Sequence, residues 1–428
     1  MRIKKWFGLL AGLLLLVAVL STLAFAANTV TIQYAFWGDP NAIGVEKDII
    51  EGFEKNHPNI KVTPIVSAYN DYHAKLLTLF AGGQAPDVMR IDSYFMADFM
   101  KNKALKDITP YIKRDKIDMN AYYQAGLLDN MQGGKYYGLP WGTAPIFMFV
   151  NVKMFKDAGI PIPSVDWTYD DFVKIARQLS KGEGADRQYG YALNPTDLGY
   201  FFPFIWAHGG DLFDKNRKKF TLDQPQSIQG IQAIVDLIKD GTIPDPAQFT
   251  SAAVVNRWMT NHKVALRTGT AQEIITLQRV EGFEFEVLPC PGTAKNPNVT
   301  ISKSNVTAMS ASTKKDKAAW EFLKYMRAPG QEGEMLYMKA KRVPPSIDDQ
   351  KLWEAYADPT KSPKNVVAVA KAVASKYGHT LPLRVGWNEI QGLLIPQLQR
   401  VFAGQTTAEQ AMKDLAPRVK DVLDRTSK

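Results

Sequence analysis

The chain has 428 residues, of which 46% are hydrophobic and 22% charged, a composition typical of folded globular proteins and unlike that of disordered chains. This length is more than one compact core usually contains, so it predicts two domains or lobes. The formal net charge is +9, but the lysines and arginines are scattered and form no continuous basic stripe, which argues against a nucleic-acid ligand.

The N-terminus has the features of a secretory signal peptide at residues 1–26. Basic residues between positions 2 and 5 precede an uncharged apolar segment at 6–20, and Ala24-Phe25-Ala26 supplies a small-residue cleavage site. The apolar segment has about 15 residues, fewer than the roughly 20 that span a bilayer, so an uncleaved anchor helix is the weaker alternative. We expect cleavage after Ala26 and a protein located in the periplasm or outside the cell.

The chain contains one cysteine, Cys290, so an internal disulfide bond is excluded. For the same reason no cysteine follows the signal peptide to carry a lipid anchor, and we expect a freely soluble secreted protein. Cys290 lies in the sequence Leu-Pro-Cys-Pro-Gly, where a small apolar thiol in a packed turn is a simpler interpretation than a catalytic nucleophile.

The mature chain begins with a strand-helix-strand-helix-strand pattern. Apolar residues predict strands at 30–36, 60–66 and 87–91, and helices with a periodic apolar face separate them. Pro64 places the second strand at a sheet edge, because proline has no N–H group to donate to a neighbouring strand. Short connections between such elements indicate a right-handed parallel α/β sheet with strand order 2-1-3.

In such a sheet, ligands bind beyond the carboxyl ends of the strands, where the direction of winding reverses. With strand order 2-1-3, this point lies between the first and third strands. The residues that follow these two strands are Trp37, Gly38 and Asp39 after the first, and Asp92, Ser93 and Tyr94 after the third.

The segment 138–172 is predicted to carry the chain from this sheet into a second one. Its apolar run Ile146–Val150 is typical of a short buried strand. Thr168 and Asp171 have the spacing of a capping box, so we expect a helix to begin there. Later strands are predicted at 189–193, 264–267 and 285–288, and later helices at 200–208 and 228–238.

The same segment contains an ordered set of motifs. YGLP occurs at 137–140, an apolar strand ends at Asn151, AGI follows at 158–160, and Trp-Thr precedes an acidic helix start at 167–171. Further segments belonging to this set lie at 53–62, 81–88 and 305–326 and around Gly404. Together they resemble the family 1 extracellular solute-binding proteins, of which maltose-binding protein is the best-known type, over nearly all of the mature chain.

The resemblance implies the two-lobed periplasmic binding protein fold of type II, in which each lobe is a mostly parallel sheet flanked by helices. The first lobe would contain residues 27–140 and about 302–342, and the second residues 141–301 and about 343–428. The chain would cross between them near 139–145, 298–304 and 340–347. Family members are the sugar-capturing subunits of ABC importers, so the resemblance also implies a carbohydrate ligand, preferably an oligosaccharide. It implies as well that the protein delivers this ligand to membrane permease subunits. It further implies a monomer without a cofactor.

Motifs of the common catalytic classes are absent from the sequence, among them the nucleophile elbow, the P-loop, and the zinc-protease and dinucleotide-binding motifs. The five histidines are spread without metal-ligand spacing, so we expect neither an enzyme nor a metal site. Two distant carboxylates could still meet in a cleft, which is what a glycoside hydrolase requires. A secreted glycoside hydrolase and a binding protein for another solute, such as a polyamine, therefore remain the alternatives.

The tryptophans carry the prediction of the binding site. Of the nine tryptophans, all but Trp6 lie in the mature chain, and several stand beside glycine or polar residues. An indole face suits the apolar face of a sugar ring, while neighbouring carboxylates and amides form hydrogen bonds with its hydroxyls. The predicted ligand-binding residues are Trp37, Asp39, Asp92, Tyr94, Trp141, Trp206, His208, Asp211, Trp258 and Trp387.

Four of these candidates have an equally simple structural explanation. Asp39 could only cap its helix, Trp206 and Trp258 could be core residues, and His208 could be a contact at a helix end. The sequence has Thr-Gly-Thr at 268–270 where the family often has Gly-x-Trp, which shifts the expected stacking contact of the second lobe to Trp258. The best supported candidates are Trp37, Asp92, Trp141 and Trp387.

Overall fold

The structure is a computed structural model, and it describes residues 29–38, 40–297, 299–340 and 343–426. The predicted signal peptide and Asp39 therefore lie outside the described residues. The strands are β1 (Val30–Trp37), β2 (Ile60–Ser67), β3 (Val88–Ile91), β4 (Met131–Gln132), β5 (Lys135–Tyr136), β6 (Leu139–Thr143), β7 (Ile146–Asn151), β8 (Tyr189–Ala192), β9 (Val264–Thr270), β10 (Phe285–Leu288), β11 (Thr300–Ile301), β12 (Ser304–Met309) and β13 (Gly378–His379).

Helices cover both sheets and connect their strands. They are α1 (Pro40–Asn56), α2 (Tyr69–Ala81), α3 (Ser93–Lys101), α4 (Thr109–Asp115), α5 (Gln124–Leu128), α6 (Val152–Asp157), α7 (Tyr169–Leu179), α8 (Phe202–Ala207), α9 (Pro225–Lys239), α10 (Ala252–Thr260), α11 (Glu273–Leu277), α12 (Asp316–Arg327), α13 (Glu332–Lys339), α14 (Gln350–Tyr356), α15 (Val366–Ala372), α16 (Trp387–Phe402) and α17 (Ala408–Thr426). Within the described ranges, no helix combines the length and the apolar composition that crossing a membrane requires.

The first sheet has the strand order β2-β1-β3-β12-β6. Strand β1 pairs in parallel with β2 and β3, which confirms the predicted order 2-1-3. Pro64 lies in β2 at the sheet edge, as its missing N–H group requires. Strand β12 is antiparallel to both of its neighbours, so the remaining four strands of this sheet all run in the same direction.

The second sheet has the strand order β10-β7-β9-β8. Strand β7 is the predicted apolar strand of the central segment, and it is antiparallel to β9 and β10, while β8 and β9 are parallel. All strands except β7 therefore run in the same direction. Strand β9 extends three residues beyond the expected Arg267, because Thr268, Gly269 and Thr270 pair with β7.

The reversed strand in each sheet decides which residues lie at the edge where the sequence predicts a site. The carboxyl ends of β1 and β3 meet the amino end of β12, because antiparallel pairing sets Val306 opposite Ile91. The amino end of β7 likewise lies beside the carboxyl end of β9, since Ile146 pairs with Thr270. Strands β12 and β7, which the chain enters from the other sheet, therefore begin at the same edge as the predicted site.

Each sheet has its own hydrophobic core, and we call the two assemblies the first and the second lobe. In the first lobe, Phe53 of α1 and Trp320 and Phe322 of α12 pack beneath β1. In the second lobe, Phe172 of α7 packs with Trp387 of α16 in a core that also includes residues of α17. The C-terminal helices thus pack on the second lobe, as we expected.

Two local predictions about chain packing are also confirmed. Thr168 and Asp171 form both halves of the capping box at the start of α7. Cys290 is buried, and its Sγ lies 3.4 Å from the carbonyl oxygen of Ile146. Burial raises the pKa of this thiol to about 12, as expected for a packed residue and not for a nucleophile.

The predicted lobe boundaries stay a proposal. The packing of residues 343–353 refines the position of the third crossing between the lobes. Val343 and Ile347 still belong to the core of the first lobe, as does Leu352, whereas Trp353 packs in a core of the second lobe. We therefore propose that the chain leaves the first lobe between Leu352 and Trp353, slightly later than the sequence indicated.

Candidate functional site

An aromatic surface lies at the carboxyl edge of the first sheet. Trp37 ends β1 and is half-buried, while Trp141 lies in β6 and is buried. Their ring centroids are 6.0 Å apart, and Tyr69, at the start of α2, lies 5.6 Å from Trp37. The Arg90 guanidinium lies 3.8 Å from the Trp141 ring and 4.6 Å from the Trp37 ring. Because cations favour the faces of indoles, Arg90 helps to fix both rings.

A network of buried charges holds Arg90 in place. Arg90 donates a hydrogen bond of 2.9 Å to Glu46 of α1, which is fully buried. Arg327 lies 3.8 Å from Glu46 and 3.5 Å from Glu334, and all three side chains are inaccessible to solvent. Burial raises the pKa of Glu334 to about 7. Each buried charge has a partner of opposite sign, which is the condition for its stability.

Asp92 stands at the centre of the polar part of the site. It follows β3 and caps helix α3 by accepting a hydrogen bond of 3.1 Å from the Tyr94 amide. Its carboxylate also accepts from the Tyr69 hydroxyl at 3.1 Å, and each of its oxygens lies 3.2 Å from Lys303 Nζ. Burial alone would raise the pKa of Asp92, but the Lys303 ammonium and the Tyr94 amide outweigh it, so the pKa lies below its usual value.

Tyr94 connects this polar group with the second lobe. Its ring stacks on Trp387 with a centroid distance of 5.8 Å, and Lys303 Nζ lies 3.8 Å from its centroid. Its hydroxyl donates a hydrogen bond of 3.4 Å to Asp197, which lies in the loop after β8. Burial raises the pKa of Asp197.

His73 of α2 supports Asp92 from below. It is 4% exposed, and its ring stacks on Phe95 at a centroid distance of 3.8 Å. Its Nε2 atom accepts a hydrogen bond of 3.2 Å from the backbone amide of Asp92. Burial lowers the pKa of His73 to about 4, so the ring is neutral at physiological pH and can accept this bond.

These contacts join the four best supported candidates into one group, which we call the interlobe cluster. The chain of contacts runs from Trp141 to Trp37 and Tyr69, then to Asp92 and Lys303, and on to Tyr94, Asp197 and Trp387. Indole and phenol rings thus surround a group of one lysine and two carboxylates. That these residues bind a ligand stays a prediction.

Trp206 and Asp211 lie in the second lobe, away from the contacts of the cluster. Trp206 is buried in α8, donates a hydrogen bond of 3.0 Å to Asp211, and stacks on His379 at 4.0 Å. Both residues line a groove of about 620 Å³ together with Asn296. Among the described residues, their hydrogen bonds and ring contacts do not reach the interlobe cluster, so a ligand role for them stays untested.

His208 and Trp258 take the positions that their structural explanations indicated. His208 is the C-cap residue of α8, and its Nδ1 atom lies 2.8 Å from the carbonyl oxygen of Phe204. Trp258 packs against Tyr189 and Phe249, with centroid distances of 6.0 and 5.1 Å. Neither arrangement links the residue to the interlobe cluster in the described part of the chain.

Three residues of the interlobe cluster escaped the sequence analysis, namely Tyr69, Asp197 and Lys303. Tyr69 begins helix α2 and Asp197 caps a short helical turn, and polar or aromatic residues are common at such positions for structural reasons. Lys303 reaches the site only because β12 is antiparallel to β3. In the described residues, no group of three or more histidines, cysteines or acidic residues has an arrangement that would bind a metal ion.

Comparison with known proteins relates most of the chain to binding proteins. A family model described as bacterial extracellular solute-binding protein matches residues 39–333. The arabinooligosaccharide-binding protein of Bacillus subtilis is 28% identical over 205 residues, which are 46% of this chain and 46% of that protein. The diacetylchitobiose binding protein DasA of Streptomyces coelicolor is 25% identical over 400 residues, which are 90% of this chain and 88% of that protein.

Solved structures show the same architecture. An ABC substrate-binding protein of Listeria monocytogenes in complex with cycloalternan matches with a TM-score of 0.81 and 24% identity, covering 92% of this chain and 99% of that one. The sugar-binding protein MalE of Xanthomonas citri matches with a TM-score of 0.77 and 19% identity, covering 92% and 98%. These similarities confirm the predicted two-lobed α/β fold.

Proposed function

We propose a function from one premise, which is that the chain belongs to the family of bacterial extracellular solute-binding proteins. The protein captures a carbohydrate between its lobes and delivers it to the permease subunits of an ABC importer. The observation that best supports a carbohydrate ligand is the composition of the interlobe cluster. Three indole rings, those of Trp37, Trp141 and Trp387, are linked there to the Asp92 and Asp197 carboxylates through two tyrosines, Tyr69 and Tyr94.

The chemistry of the cluster suits a saccharide. Sugar rings present an apolar C–H face that packs on an indole, and their hydroxyls donate to carboxylates and accept from N–H groups. Trp141 Nε1 is buried and has no hydrogen-bond partner among the described residues, so a ligand hydroxyl that reached it would gain a donor. The ligands after which the relatives are named or with which they were solved, an arabinooligosaccharide, diacetylchitobiose and cycloalternan, support the same class.

The mechanism that we propose is binding coupled to lobe closure. Helix α3 of the first lobe already contacts the second lobe, because Asp98 accepts a 3.0 Å hydrogen bond from the Gly386 amide. Lys101 donates one of 2.9 Å to the carbonyl oxygen of Thr426. A ligand that contacts both lobes binds the closed form more tightly than the open form and shifts the equilibrium towards closure. The closed monomer would then be the form that a permease recognises on the outer side of the membrane.

A thermal-shift screen of the mature protein against monosaccharides and oligosaccharides tests this proposal. A ligand at a hundred times its dissociation constant adds about 2.7 kcal/mol to the free energy of unfolding. We expect at least one oligosaccharide to stabilise the protein. Stabilisation by amines or amino acids, with none by any carbohydrate, would refute the carbohydrate assignment and leave family membership intact.

The two carboxylates keep a glycoside hydrolase as the second candidate. The pKa of Asp92 is lowered and that of Asp197 is raised, and such a separation is typical of a nucleophile and a general acid. The binding function predicts no new reducing ends when the protein is incubated with the stabilising oligosaccharide. Release of reducing sugar that disappears in the Asp197→Asn variant would instead identify an enzyme.

A further inference from the structure

We propose that Lys303 determines the charge of the ligand, because its ammonium group occupies the position in the cluster that a ligand amine would need. The cleft would therefore accept uncharged saccharides and exclude polyamines. This inference rests on the proposed carbohydrate function and adds to it the electrical charge of the ligand.

The surroundings of the Lys303 ammonium are those of a bound amine. Nζ lies 3.2 Å from each carboxylate oxygen of Asp92 and 3.8 Å from the ring centroid of Tyr94. A carboxylate combined with an aromatic face is the arrangement that proteins use to bind ammonium ligands. The Lys303 and Asp92 side chains are only 12% and 4% exposed, so water screens their pairing weakly.

The backbone around Lys303 is fixed by hydrogen bonds to β6, to the segment that follows it and to strand β13. The Ala144 amide donates a 2.7 Å hydrogen bond to the Lys303 carbonyl oxygen. On one side Ser302 donates from its amide to His379, and on the other Ser304 donates from its hydroxyl to Gly142. The backbone of Lys303 is therefore fixed at this edge, and its ammonium group is held in turn by the Asp92 carboxylate and the Tyr94 ring.

The Lys303 charge acts on both acidic residues of the cluster. It lowers the pKa of Asp92 and opposes the upward shift of Asp197, which lies on the other lobe. Removal of this one positive charge would leave two carboxylates beside aromatic rings. An amine ligand could then supply the missing charge, and the neighbouring rings could pack on its methylene groups.

The test compares three variants by titration calorimetry with putrescine as the probe. Lys303→Met removes the charge and keeps much of the side-chain length, Lys303→Arg keeps the charge, and Asp92→Asn with Lys303→Met removes both partners. We expect Lys303→Met to bind putrescine about tenfold or more tightly than the wild type. Lys303→Arg and the double variant should resemble the wild type. Equal putrescine affinity in all four proteins would overturn the inference.

Two further outcomes keep the result unambiguous. If Lys303→Met unfolds in buffer, refolding in millimolar putrescine supports the inference, and failure to refold overturns it. If carbohydrates stabilise the wild type but Lys303→Met gains no affinity for putrescine, the proposed function stands and only the role of Lys303 is refuted. If the wild type itself binds putrescine more tightly than any carbohydrate, both proposals fail.

Discussion

The buried histidine beneath the cluster gives a quantitative prediction about pH. His73 is 4% exposed and has a pKa of about 4 in the folded protein, against an ordinary value of 6.5. Burial is the main cause, and the nearby Asp92 carboxylate opposes it. The unfolded chain therefore takes up this proton before the folded protein does as the pH falls.

The sign and size of the effect follow from these two pKa values. The contribution of His73 to stability is complete above pH 6.5 and is lost as the pH falls towards 4. The difference corresponds to about 3 kcal/mol of unfolding free energy. Protonation of Nε2 would also remove the acceptor for the Asp92 amide, so the position of Asp92 depends on the same proton.

Urea unfolding of the wild type and of a His73→Gln variant at several pH values measures this contribution. Gln can still accept a hydrogen bond but does not titrate, so the variant removes the His73 titration and keeps an acceptor for the Asp92 amide. Between neutral pH and pH 4, we expect the wild type to lose about 3 kcal/mol more than the variant. Parallel stability curves over this range would show that His73 is not buried as the structure describes.

Three further predictions concern packing and reactivity. Arg327→Met should cost about 3–5 kcal/mol in urea unfolding, because it leaves two buried carboxylates with one cation fewer; an unchanged midpoint would contradict the buried network. Gly190→Ala should destabilise the protein by about 1–3 kcal/mol, because the added Cβ would overlap the carbonyl oxygen of Ala176. Its matched control, Gly44→Ala in α1, has open space around the new methyl group and should instead stabilise by about 0.5–1 kcal/mol. The Cys290 thiol should resist alkylation at mildly alkaline pH until the protein unfolds, as mass spectrometry would detect, and rapid labelling of the native protein would contradict its burial.

Local sequence patterns were sufficient to predict the order of the first three strands in the first lobe. The alternating residues of β1, the proline in β2 and the short connections were enough to derive the strand order 2-1-3 and hence the edge at which Trp37 and Asp92 lie. The capping box at Thr168 was visible because its chemistry depends on residues three positions apart. Features of this kind need no knowledge of distant contacts.

Strand direction and distant packing were beyond such reasoning. An apolar strand has the same composition in either direction, so nothing local indicates that β12 is reversed and delivers Lys303 to the site. A tryptophan beside polar residues also looks alike in a cleft and in a core. Trp206 and Trp258 make their ring contacts outside the cluster, and a ligand role for either stays a prediction. The resemblance to solute-binding proteins supplied the overall two-lobed arrangement, which the residues alone did not determine.

The central claim is that a carbohydrate binds against the indole rings of the interlobe cluster. The most direct measurement is calorimetric titration, with the carbohydrate that most stabilises the wild type, of Trp37→Leu and of a matched Trp258→Leu control. Truncating a stacking tryptophan at a binding site typically costs about 2 kcal/mol, so we expect Trp37→Leu to weaken binding by roughly 30-fold. Trp258→Leu should retain the wild-type affinity. Retained affinity in Trp37→Leu, combined with a loss in Trp258→Leu, would contradict the account and place the ligand elsewhere.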